Sequence, residues 1–116
     1  MAGLSKEKNM KVVPPAVSHH DGLIKRLKAD PEEASEYLNA ALEAGDKRAF
    51  LLALRNVLEA HGGMTKISDK SKMNRVSLYK MLSRNGNPGF ENILRLLQTV
   101  GIRFRVSSKS NSKARK

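Results

Sequence analysis

The sequence contains no cysteine and no tryptophan. The first absence excludes disulfides, thiolate metal sites and thiol nucleophiles together, and it fits a reducing compartment. Aromatic residues make up only 4% of the chain. The apolar positions are mostly Leu, Ala and Met, which favour helices over sheets. Apolar runs are short throughout: none approaches a membrane span, and the opening MAGLSKEKNMK holds none long enough for a signal peptide. A soluble, cytoplasmic protein with no membrane partner is expected. At 116 residues the chain has room for one compact domain with flexible ends.

Chemistry-bearing residues are equally sparse. The three histidines are His19, His20 and His61, with no carboxylate at metal-ligand spacing. No serine lies in a nucleophile-elbow pattern, and the glycines form no phosphate-binding loop. No catalytic residue, metal or cofactor is expected, and the chain does not read as an enzyme. The five methionines read as gap-filling core.

Acidic residues are few: 11 Asp and Glu against 22 Lys and Arg give a net charge of +11. The excess points to a polyanionic partner, and its distribution says more than its size. Residues 1–29 carry 6 basic and 2 acidic residues, residues 30–46 carry 6 acidic and no basic ones, and residues 47–116 carry 16 basic and 3 acidic.

Residues 1–17 mix Lys, Ser and Asn with the pair Pro14-Pro15 and show no periodicity. They read as arm, with a short extended stretch at 10–13, and the arm is taken to residue 19. A helix over 20–28 is marked by Leu23, Ile24 and Leu27 and must stop before Pro31. Asp30-Pro31-Glu32-Glu33 is a dense helix start, with an N-cap, a proline at the first position and two carboxylates in the first turn. In that helix Ala34, Tyr37, Leu38, Ala41 and Leu42 form the apolar face, Glu32, Glu33, Glu36 and Glu43 project elsewhere, and Gly45 ends it. Asp46 caps the next, which buries Phe50, Leu51, Leu54, Val57 and Leu58 up to Gly62-Gly63. Thr65 caps a short helix to about Lys72, and Asn74 caps another over 75–82. After the loop 84–89, a last helix over 90–100 buries Phe90, Ile93, Leu94, Leu97 and Val100. The alternation Ile102-Arg103-Phe104-Arg105-Val106 predicts a half-buried strand that pairs with 10–13 or with a second copy. The domain is thus taken as 20–106, followed by a disordered basic tail over 107–116.

Two helices of about two turns each, joined by about three residues, bury little on their own. A helix-turn-helix DNA reader over 64–82 explains the pair. Ile67, Met73, Leu78, Met81 and Leu82 would point inward, with Ser68 at the crossing. Val76, Tyr79, Lys80 and Ser83 would point outward, and Arg75 at the helix start can reach guanine edges. Lys80 can contact base or phosphate, and Val76 a thymine methyl. Thr65, Lys66, Asn74, Ser77 and Arg84 complete the expected DNA-contacting set, with Lys70 and Lys72 adding charge that neutralises phosphates.

The segment YLNAALEAGDKRAFLLALRNVLEAHGGMTKIS, followed by NRVSLYKMLSRNGNPGFENILRLLQTVGIRF, resembles the addiction-module antidote family, antitoxins with an Xre-type, lambda-repressor-like helix-turn-helix. The resemblance covers about 30–104. It implies an all-α, five-helix DNA-binding domain, here with an N-terminal helical extension and a short C-terminal strand. It also implies an antitoxin that neutralises a RelE/ParE-like toxin encoded beside it and represses their shared operon; a bacterial homodimer, nucleoid-associated when bound to DNA, is the expected form. Ser68 stands where the wider fold usually has Ala, and Lys72 where it usually has Gly before the turn. A basic toxin would be complemented by the acidic helix, so Glu32, Glu33, Glu36 and Glu43 are the candidate toxin contacts. The alternatives are a stand-alone phage-type repressor with no toxin, a protein-binding inhibitor with a vestigial helix-turn-helix, and a nonspecific nucleic-acid binder driven by its tails.

Overall fold

The computed structural model describes residues 15–109, with side chains from 19 onward. Among the described residues six helices follow one another: α1 (Pro15–Ala29), α2 (Pro31–Glu43), α3 (Lys47–Ala60), α4 (Gly63–Ser71), α5 (Arg75–Met81) and α6 (Phe90–Thr99). The all-α expectation holds among the described residues, which contain no strand.

Local chemistry sets most boundaries. The Asp30 carboxylate accepts from the Glu32 amide at 3.0 Å and the Asp46 carboxylate from the Arg48 amide at 3.1 Å, each satisfying an otherwise orphaned N–H. At the end of α6, Gly101 takes φ 76°, while its amide donates to the Gln98 carbonyl at 3.0 Å and the Ile102 amide donates to Leu97 at 2.8 Å. This is a Schellman ending, which needs the left-handed conformation that glycine adopts without Cβ strain.

The core is continuous through the six helices. α3 lies between α1 and α2 on one side and α4 on the other, and α4 in turn carries α5 and α6. Leu54, Val57 and Leu58 of α3 are fully buried, as are Leu27, Ile67, Leu78 and Leu96 to within 1%. Truncating a leucine in such a site typically costs about 2–5 kcal/mol, because the cavity adds to the lost transfer energy. Between α2 and α3 the Asn56 amide donates to the Tyr37 hydroxyl at 2.8 Å, so the buried amide is satisfied.

Several expectations need correction. α1 begins at Pro15, not at residue 20, because a proline is a favourable first helical residue, so the expected arm boundary at 19 falls inside the helix. The extended stretch expected at 10–13, the rest of the arm, and the tail beyond 109 lie outside the described residues. Leu42 is 46% and Phe90 60% exposed, although both were expected inward; Leu96 takes an inward place instead. Phe90 is the first residue of α6 and leaves the buried stripe there. The strand expected over 102–106 is irregular chain, since alternation makes a strand only where a neighbouring backbone supplies hydrogen bonds.

Candidate nucleic-acid interface

Two short helices, α4 and α5, are joined by Lys72, Met73 and Asn74. The joint is held by a small network. Lys72 closes α4 in the left-handed region at φ 63°, the only non-glycine residue with positive φ among those described, and its amide donates to the Ser68 carbonyl at 2.9 Å. The Ser68 hydroxyl donates to the Met73 carbonyl at 2.6 Å, and the Met73 amide donates to the buried Ser71 hydroxyl at 3.2 Å. Asn74 then caps α5, accepting from the Ser77 amide at 3.1 Å. Ile67, Met73, Leu78 and Leu82 are buried beneath this joint, as their spacing predicts, and Met81 is half-buried.

Thr65 does not cap α4. The helix starts two residues earlier at Gly63 with Gly62 as N-cap, so Thr65 sits in the first turn. The other end of α5 is closed by the loop after it. Gly86 is buried against the Met81 and Lys80 carbonyls, where any Cβ would collide with backbone.

All nine residues expected to contact DNA are exposed: Thr65 and Lys66 on α4, Asn74, Arg75, Val76, Ser77, Tyr79 and Lys80 at the cap and on α5, and Arg84 in the following loop. Val76 is 70% and Tyr79 50% exposed beside Arg75 and Lys80. Ser83, expected outward, is half-buried and donates its hydroxyl to the Lys80 carbonyl at 2.8 Å. Among the described residues the carboxylates within 4.0 Å of a basic side chain are Glu59, beside His20, and Glu33, beside Arg26, so none makes such a contact with the cations of α4 and α5. Arg75 and Lys80, without a carboxylate contact, and two large apolar side chains therefore share one short exposed helix. Such a surface can contact phosphates through its charges and base edges through Arg75.

The four candidate toxin contacts divide. Glu33 is half-buried and accepts from the Arg26 guanidinium at 3.3 Å, tying α2 to α1. Glu32, Glu36 and Glu43 line a cleft of about 710 Å³ between α2 and residues 101–107. Arg103 and Arg105 line the same cleft, together with the apolar side chains of Leu38, Leu42 and Phe50. That juxtaposition was invisible in the sequence, where the acidic and basic residues are separated by 60 to 73 positions.

A family model described as "probable addiction module antidote protein" matches residues 20–108. The chain belongs to that family. The matched span holds the α4–α5 pair and the whole cleft. An antidote family implies an antitoxin role and a toxin of some kind as partner. An uncharacterised protein of Haemophilus influenzae is 32% identical to this antidote-family chain over 75 residues, or 65% of this chain and 76% of its own length. No solved structure gives a significant match. Among the described residues of the antidote-family chain, no helix is long and apolar enough to cross a membrane.

Proposed function

We propose that this antidote-family chain is the antitoxin of a toxin–antitoxin module and binds its own operator DNA. A lambda-repressor-like, Xre-type helix-turn-helix over 64–82 does the reading. It acts as a homodimer, with each α5 entering a major groove and half-sites one helical turn, about 34 Å, or a multiple of it apart. Bound there, it represses the operon that encodes it together with a RelE/ParE-like toxin, which it neutralises through the carboxylates of α2. The observation that carries this reading is the exposure of Arg75, Val76, Tyr79 and Lys80 together on a helix whose other face is sealed by Leu78. Solubility alone does not account for a 70% exposed valine and a half-exposed tyrosine between cations.

Fluorescence anisotropy against the DNA upstream of its own gene tests the proposal. Arg75→Ala should weaken binding to that DNA by about 1–3 kcal/mol and leave random DNA nearly unaffected. Equal weakening on both, or none on either, defeats specific reading. For the toxin, co-purification with the neighbouring gene product should fail once Glu32, Glu33, Glu36 and Glu43 are all changed to Lys. Undiminished co-purification removes the acidic helix from the interface.

A further inference from the structure

The segment after α6 has open edges and a cleft on either side. Beyond the Schellman ending, Ile102 is half-buried and the Phe104 ring stands edge-on to Phe90 with centroids 5.5 Å apart. From Arg103 to Ser107 no backbone N–H or C=O takes part in a backbone hydrogen bond among the described residues. The larger cleft separates this strip from α2, and a smaller one runs along its α6 side. Val106 is 85% and Phe104 40% exposed. A row of unpaired backbone groups next to exposed apolar side chains is a template for another chain.

The cleft and the strip have matching chemistry. The cleft is lined by the apolar side chains of Leu38, Leu42 and Phe50 and by the carboxylates of Glu32, Glu36 and Glu43. The strip alternates Phe104 and Val106 with Arg103 and Arg105. We propose that residues 102–106 become an edge strand by pairing antiparallel with the same strip of a second copy, which lies in the cleft beside α2. Centred on Phe104, the pairing places Ile102 opposite the partner's Val106, with both apolar sets turned to the apolar lining of Leu38, Leu42 and Phe50. The arginines project toward the lining carboxylates, which offset the like charges that a ribbon of arginines would otherwise oppose across strands. The surface is self-complementary, so both copies fill both clefts about one two-fold axis and the assembly closes as a dimer. The inference deepens the homodimer of the proposed function by naming what joins it. A toxin that takes Glu32, Glu36 and Glu43 excludes the second copy from the same cleft.

Sedimentation equilibrium of the full chain tests this. The wild type should sediment as a dimer at micromolar concentration. The double variant Phe104→Asp, Val106→Asp should dimerise at least about tenfold more weakly, a loss of about 1.4 kcal/mol, with an unchanged helical circular dichroism signal. Because the chain has no cysteine, Phe104→Cys should oxidise to a cross-linked dimer faster than a control Leu52→Cys, which places the thiol on exposed α3 surface. A monomeric wild type at hundreds of micromolar overturns the proposal, as does a dimer untouched by the double change. So does a cysteine at 104 that cross-links no faster than one at 52. Anisotropy with the upstream DNA, run beside it, separates the two claims: a dimer untouched by the double change that still reads its operator through Arg75 sinks the strip and leaves the function standing.

Discussion

The Ser68 hydroxyl donates to the Met73 carbonyl at 2.6 Å, so a side chain on α4 holds the backbone that leads into α5. A serine at the crossing of the two helices thereby acts as a clasp as well as a small spacer. Ser68→Ala keeps the packing volume but leaves the half-enclosed Met73 carbonyl short of a donor. It should lower stability by about 0.5–1.5 kcal/mol in thermal or urea unfolding, and an unchanged midpoint would mean that water replaces the hydroxyl.

Lys72 occupies the left-handed region at φ 63°. A side chain there carries a penalty of about 1–2 kcal/mol that glycine escapes. Lys72→Gly should therefore raise stability, by less than that figure because glycine gains freedom in the unfolded chain, while Lys72→Val should lower it. Urea titration of the three proteins gives the ordering directly.

Gly86 admits no side chain, since a Cβ would overlap the carbonyls that end α5. Gly86→Ala has to displace the loop or unwind the last turn of the helix. We expect a loss of about 1–3 kcal/mol, together with weaker binding to operator DNA, because α5 is only 7 residues long. Full stability in the alanine variant would show that the loop moves freely.

Under the proposed function, Lys66 and Arg84 neutralise phosphates and do not read bases. Lys66→Ala should weaken binding equally on operator and random DNA and reduce the slope of log affinity against log salt by about 1. A change in sequence preference in that variant would instead move Lys66 into the base-contacting set.

The helices were legible wherever a capping side chain announced them. Asp30, Asp46 and Asn74 each accept the amide that their positions predict. The buried stripe of α3 also followed from spacing alone, because a helix packed on both sides repeats its pattern over several turns. Errors gathered where the signal was short or depended on a distant neighbour. Thr65 looked like a cap, but the paired glycines before it started α4 earlier. Phe90 is too close to the start of its helix for periodicity to fix its side. The alternation at 102–106 predicts strand only if a second backbone lies beside it, and local sequence does not carry that information. The α5 surface was readable because its residues are neighbours in sequence. The cleft was not, because folding brings its two sides together from opposite ends of the domain.

The two tyrosines occupy unlike settings. Tyr37 is hydrogen-bonded to Asn56 between α2 and α3, whereas Tyr79 stands half exposed on α5. With no tryptophan to mask them, these two phenols supply the chain's intrinsic ultraviolet emission. The molecule is thus born labelled: with Tyr79 replaced by phenylalanine the remaining phenol reports whether the scaffold is intact, and with Tyr37 replaced it reports whether anything has settled on α5, with no dye attached.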